Sequence, residues 1–205
     1  MTITPSRPSS PVAVHPGGTA EAIRDVAVAL FASHGYEATT MNDIGRGVGI
    51  RGSAIYNHVP SKQELLREIM FSAMNELVEV VGNAINSTDD IAEQLRLGFR
   101  QHVLYHAQRR LQFSVGNREI PSLEEPARTE IISLRRQYVE MFKNVIDQGI
   151  AKGIFEVESS LLAAYAILQS GMGVAIWYHP DGSMSGVEVA DLYGEFALRI
   201  VGHRC

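Results

Sequence analysis

The chain has 205 residues, 45% of them apolar, and a formal net charge of −5. That length suits one large domain or a small domain joined to a larger one, with apolar residues enough for a full core, and the charge excludes a protein coated in basic groups. The lone cysteine, Cys205, excludes an intramolecular disulfide and reads as an intracellular, cytoplasmic chain.

Charge is unevenly divided. Residues 1–67 carry six Lys/Arg against five Asp/Glu, and the remainder twelve against eighteen, so the N-terminal part is the less hostile to phosphate. No basic stretch followed by an apolar run opens the chain, so no signal peptide is expected. Residues 1–18 hold four of the eight prolines and read as a disordered tail, in which Arg7 is the one residue that could brush a nucleic acid.

A first helix is expected over 19–34, with Ile23, Val26, Leu30 and Phe31 on one face and Gly35 ending it. Thr40-Met41-Asn42-Asp43 has the spacing of a capping box and starts a short second helix to about Gly47. Gly49 to Gly52 make a turn, and a short third helix covers 53–58. Gly45 and Gly47 are expected to loosen the second helix, each at up to ~1 kcal/mol against alanine. Ser61-Lys62-Gln63-Glu64 is a second capping box, opening a long helix through about Asn86 with Leu65, Leu66, Ile69, Met70 and Met74 inward.

A further helix is expected to about Gln108, then a less regular stretch to about Glu125. Pro126 suits the first turn of the next helix, which runs to about Lys152 with Ile131, Leu134, Tyr138, Met141, Phe142 and Val145 as its stripe. Leu161 to Tyr178 is uncharged and just reaches the ~18-residue length of a membrane span. Its Gln, Ser and Gly residues, the following His179-Pro180-Asp181-Gly182 and the lack of flanking Lys/Arg favour a buried helix of a protein outside the membrane. Ser185-Gly186-Val187-Glu188, a third capping box, opens the last helix, with Val189, Leu192, Tyr193, Phe196 and Ile200 as its stripe. No segment alternates as a strand would. The expected fold is all-α, about nine helices: three short ones, a long connector and five in a C-terminal body. The expected domains are 19–66 and 67–205.

Two short helices around a tight turn make a helix-turn-helix, whose second helix lies in the major groove. The exposed positions of that helix are Arg51, Ser53, Ala54, Tyr56, Asn57 and His58, behind Gly52, while Ile55 and Val59 point inward. All but Ala54 can bond bases or phosphates, and Ala54 can meet a thymine methyl. The helix N-termini at Thr40 and Ser61, the latter with Lys62, are phosphate sites that position without reading.

Leu30-Phe31, Gly35-Tyr36, Thr39-Thr40, Asp43-Ile44, Gly49-Ile50, Ile55-Tyr56, His58, Ser61-Lys62 and Leu65-Leu66 together resemble the DNA-binding head of TetR-family repressors. The resemblance implies double-stranded DNA as a partner through a near-palindromic operator. It implies Thr40, Tyr56 and Lys62 near phosphates, Thr39 among the other DNA-binding residues, Arg51 to Asn57 as the base-reading set, and a homodimer paired through the last two helices. Gly45, Arg51 and Val59 depart from the usual pattern, and Arg51 adds a candidate guanine contact. The expected dimer residues are Leu168, Gly171, Ala175, Tyr193, Phe196 and Ile200. The family binds a small-molecule inducer among its body helices, for which Phe99, His102, His106, Phe113, Tyr138 and Phe142 are candidates, although aromatics at helical spacing are more often core. Trp177 to Gly182, with Leu192-Tyr193 and Gly149…Gly153-Ile154-Phe155, resembles the branch governing steroid and fatty-acid breakdown in actinobacteria, which implies an acyl-CoA thioester as inducer.

His102 and His106 have an i, i+4 spacing that could hold a metal, but no third ligand type lies near, and no metal or cofactor is expected. Arg109-Arg110 and Arg135-Arg136 read as an anion site or as solvated faces. No Gly-x-Ser-x-Gly, glycine-rich phosphate loop or Cys–His pair is present, so no catalytic residues are expected and the chain reads as a ligand-released repressor. The alternative is a helical small-molecule carrier or enzyme with a vestigial DNA-binding head.

Overall fold

A computed structural model describes residues 18–203. The expected N-terminal tail up to residue 17, Arg7 included, and Cys205 lie outside the described residues. Among these residues the chain forms ten α-helical segments and one 3-10 turn, with no strand. It divides into two compact units, one ending at Leu65 and one beginning at Leu66.

The first unit holds α1 (Gly18–His34), α2 (Met41–Val48), α3 (Gly52–Ile55) and the opening of α4 (Lys62–Ile85). Ile23, Ala27 and Phe31 repeat every four residues and bury one face of α1, and Gly35, at φ 92°, turns the chain out of it. The expected capping box forms at α2: Thr40 Oγ1 accepts from Asp43 N at 3.1 Å, and the Asp43 carboxylate accepts from Thr40 N at 3.1 Å. Such a cap contributes about 1 kcal/mol. Gly47 does not merely loosen α2. A Cβ there would lie 2.5 Å from Val26 Cγ1, so the glycine lets α2 close on α1. Helix α3 is a single turn, shorter than expected, and continues as a non-helical turn through His58.

The second unit holds the rest of α4, then α5 (Ile91–Gln108), α6 (Arg110–Arg118), a 3-10 turn (Ile120–Ser122), α7 (Ala127–Ala151), α8 (Ser160–Met172), α9 (Val174–Trp177) and α10 (Gly186–Ile200). The stretch expected to be irregular therefore contains α6. The uncharged segment is two helices rather than one, divided at Gly173, which itself keeps right-handed helical backbone angles. Residues Ser160–Trp177 have a mean hydropathy of 1.4, apolar and long enough to cross a membrane, and 39% of them are buried within the protein.

Phe99, Val103, Phe142, Ile146 and Ile167 form the centre of this unit. Two glycines set how closely its helices approach. A Cβ on Gly171 would meet His102 Cδ2 at 2.5 Å, bringing α8 against α5; one on Gly194 would meet Arg96 O at 3.1 Å, bringing α10 against α5. The inward face of α10 is thus mostly small, made of Val189, Ala190, Gly194, Ala197 and Leu198, and of its expected stripe only Val189 is buried. Leu192, Phe196 and Ile200 face out.

Candidate nucleic-acid interface and internal cavity

In the first unit, Gly49 adopts a left-handed conformation (φ 79°) that ends α2 and directs the chain into α3. Ile55 and Val59 are buried, so the turn they pin presents Arg51, Ser53, Tyr56, Asn57 and His58 outward, with Ala54 half-buried. Tyr56 is 54% exposed, which for an aromatic residue beside a helix-turn-helix is a displayed hydroxyl rather than a core ring. Gly52 opens α3.

Two residues expected at the DNA, Thr39 and Lys62, also hold the chain's own turns. Thr39 is only 2% exposed, and its hydroxyl donates to Gly35 O at 2.8 Å, so it locks the turn between α1 and α2 and its side chain is unavailable to a ligand. Thr40, its neighbour, is exposed and caps α2. Lys62 Nζ donates to Tyr36 O at 2.9 Å and Thr39 O at 3.0 Å, and Ser61 Oγ accepts from Glu64 N at 3.0 Å at the start of α4.

The second unit holds a cavity of about 320 Å³ among α4 to α8, partly open to solvent on the side of exposed Tyr165. Met74, Leu77, Phe113, Ile120, Ile132, Val139 and Met172 supply apolar wall; His102, His106, Tyr138, Gln169, Tyr165, Arg135 and Arg136 supply the polar atoms. Four of the six expected ligand residues therefore line it. Phe99 and Phe142 do not. Both are fully buried behind the wall, Phe99 stacked on His102 at 5.7 Å and Phe142 edge-on to Tyr138 at 5.6 Å.

The hydrogen bonds of the two histidines differ. His102 Nε2 lies 3.2 Å from Leu168 O, which can only accept, so Nε2 carries the proton. Nδ1 must then accept, and the Tyr138 hydroxyl donates to it at 2.8 Å. His102 is thereby held as one neutral tautomer, and burial keeps it well below the ordinary histidine range. His106, 5% exposed, has neither ring nitrogen hydrogen-bonded. Burial first, then the charge of Arg135, pushes it down to about 4. A buried polar group left unpaired costs on the order of 1–3 kcal/mol.

Arg135 Nη2 donates to Gly116 O at 3.0 Å, and desolvation alone lowers the guanidinium. Arg135 and Arg136 both reach the cavity. The other arginine pair does not: Arg109 bonds Glu76 at 2.7 Å, and Arg110 Nε donates to Ala175 O at 3.0 Å. Met74 and Leu77 on α4, and Tyr165 and Gln169 on α8, were not legible as lining residues. Their spacing is that of any helix face.

Three of the six expected dimer residues face the protein's own interior. Leu168 lines the cavity, Gly171 packs on His102 and Phe99, and Ala175 is buried with its carbonyl held by Arg110. The apolar residues left in the open are instead Leu161, Leu162 and Tyr165 on α8, Ile176 and Trp177 on α9, and Val187, Leu192, Phe196 and Ile200 on α10. Tyr193, half-buried, bridges Trp177 (6.5 Å) and Phe196 (5.6 Å).

Residues 23–69 match the bacterial regulatory proteins of the tetR family, and residues 88–201 match the tetracyclin repressor-like C-terminal domain. The chain belongs to the TetR family. Over 171 residues it is 28% identical to the HTH-type transcriptional repressor KstR2 of Mycobacterium tuberculosis, spanning 82% of this chain and 86% of that one. The solved structure of that ketosteroid transcriptional regulator superposes with a TM-score of 0.83 at 26% identity, over 92% of this chain and 97% of KstR2. This likeness falls in the steroid-catabolism branch that the residues Trp177 to Gly182 suggested. The TetR-family regulator PfmR of Thermus thermophilus is 32% identical, with a TM-score of 0.78 over 86% of this chain and 97% of PfmR. AibR, solved with isovaleryl coenzyme A and operator DNA, shares the TetR fold at 22% identity, with a TM-score of 0.79 over 90% of this chain and 99% of AibR.

Proposed function

We propose that this TetR-family protein is a cytoplasmic transcriptional repressor, not an enzyme, that binds its operator as a homodimer and is released by a small amphipathic anion. The observation that carries the reading is the row of exposed polar side chains on and after α3, backed by buried Ile55 and Val59. Arg51, Ser53, Ala54 and Asn57 read bases, and Thr40, Tyr56 and His58 meet phosphates. Lys62 adds its positive charge at the start of α4 while holding the α1–α2 turn.

The open apolar face of α8, α9 and α10 supports self-association, since a patch holding Ile176 at 73% exposure beside Trp177 is costly in water. A two-fold dimer brings two heads to half-sites about 34–36 Å apart. The cavity suits an inducer with an apolar body and negative charge, as its apolar wall and Arg135 and Arg136 attest. An acyl-CoA thioester has that chemistry, and the ligand in the AibR complex belongs to that class. Helix α4 runs from Lys62 in the first unit to cavity-lining Met74 and Leu77 in the second, so an occupant that displaces it acts on a two-state element.

Fluorescence anisotropy on DNA from upstream of the protein's own gene, against scrambled DNA at fixed salt, tests this. Binding at least ~10³ tighter to the former is expected, with release on adding acyl-CoA thioesters. Acyl-CoA binding without specific binding to any genomic fragment would favour a carrier or enzyme instead.

A further inference from the structure

We infer that His106 reads a neutral oxygen function, a carbonyl or a hydroxyl, on the apolar part of the molecule that fills the cavity. The inference rests on the reading of that cavity as the effector site, and adds what the effector must carry.

Its ground is an unmet hydrogen-bonding capacity. Both ring nitrogens of His106 are buried without a partner, and the ring lines the cavity. Three aromatic neighbours hold it edge to face: His102 at 4.4 Å, Phe113 at 5.1 Å and Tyr105 at 5.8 Å. The ring is therefore fixed by packing and left unsatisfied by the protein. The other buried polar groups here are committed. His102 uses both nitrogens, on Tyr138 and Leu168, and Tyr138 spends its only proton on His102. Among the buried side chains of the wall, the uncommitted ring N–H is that of His106, and acceptors remain on its second nitrogen and the Tyr138 oxygen; Tyr165 and Gln169, which also line the cavity, stand exposed to solvent.

Charge in the same cavity is handled by Arg135 and Arg136, the former close enough that its own charge adds to burial in keeping the His106 ring neutral. A carboxylate or phosphate belongs to them. A neutral imidazole offers one donor and one acceptor, which suits a carbonyl that accepts its N–H or a hydroxyl that does either. Met74, Leu77 and Phe113 surround this position with apolar surface, so the oxygen must sit within a hydrocarbon body rather than on a solvated tail. His106 also lines a neighbouring pocket of about 60 Å³, as do Met74, Leu77, Phe113 and Arg135.

The test uses the full-length protein and two probes that differ by one oxygen, 1-tetralone and its hydrocarbon tetralin, followed by NMR. Contacts from the methyl groups of Met74 and Leu77 locate each probe. The ketone is expected to bind on the order of tenfold more tightly, the yield of one hydrogen bond at a buried site, and to shift the ¹⁵N resonances of His106 where tetralin does not. His106→Phe is expected to bind both probes with that preference gone. If neither probe reaches the Met74 and Leu77 methyls, the cavity reading fails and this inference with it. If both reach them but bind equally, leave the His106 nitrogens unmoved, or keep the preference in His106→Phe, the role of His106 is overturned and the cavity reading stands.

Discussion

Lys62 Nζ lies 4.1 Å above the ring of Tyr36 while donating to the carbonyl of that same residue at 2.9 Å. One cation thus ties the first turn of α4 to the turn that precedes α2, by a cation–π contact and two charge-assisted bonds. Lys62→Met keeps the stem and removes the charge. It should destabilise the first unit by about 1–3 kcal/mol, read as lost amide-exchange protection in α1 and α2, and weaken operator and scrambled DNA by the same factor. Unchanged protection would show that the contact contributes nothing.

Sequence choice and general affinity should separate within α3. Arg51→Ala should relax base preference at one operator position, by about 1–3 kcal/mol of discrimination. Tyr56→Phe removes a displayed hydroxyl and should weaken binding to all DNA alike. Anisotropy on a set of operators mutated one base pair at a time distinguishes the two. A uniform loss in Arg51→Ala would reassign that side chain to the phosphates.

The glycines give predictions of opposite sign. Gly47→Ala gains up to about 1 kcal/mol of helix propensity, but its methyl meets Val26, a β-branched side chain with little freedom to turn aside, and overpacking costs about 1–3 kcal/mol. The clash should win, and the melting temperature should fall. Gly82→Ala, on α4 with nothing within 4 Å of the added carbon, should raise it.

The second unit should weaken in mild acid. His102 and His106 are neutral when folded, the latter at about 4, whereas an unfolded histidine titrates near ~6.5. Protons therefore bind the unfolded chain first. Stability is complete above about pH 6.5 and falls below it, by up to ~1.4 kcal/mol per pH unit for each histidine. Urea unfolding should lose roughly 2–3 kcal/mol between pH 7.5 and 5.5, and His106→Phe should keep about half of that loss. The lowered carboxylates of Glu93 and Asp147 act only at lower pH, so they do not blur the window.

What could be read ahead of the structure followed locality. The caps at Thr40 and Ser185 form as spaced, because each depends on four consecutive residues. The outward row on α3 was legible for the same reason. Phe99, His102 and His106 share one helix face, and nothing in α5 says which of them meets a void. Gly171 decides it, by letting α8 close over Phe99 and against one side of His102 while leaving His106 open to the cavity. Leu168 and Ala175 face inward for the mirror reason: on α8 and α9 the buried set is mostly small (Ala163, Ala164, Gly171, Val174 and Ala175, with Ile167 and Leu168), and the exposed set is Leu161, Leu162, Tyr165, Ile176 and Trp177. A partner's arrangement across space is not written in either helix's own periodicity.

The bond from His102 to Leu168 O has a mechanical meaning. It holds α8 from the side, so a turn of that helix about its axis large enough to carry the Leu168 carbonyl out of reach breaks the bond. The same rod carries Leu168 and Gln169 toward the cavity and Leu161 and Leu162 on the open apolar face. An occupant that turned α8 far enough to break that bond would turn the outer surface with it, making α8 a camshaft between what the protein holds inside and whatever lies against its flank.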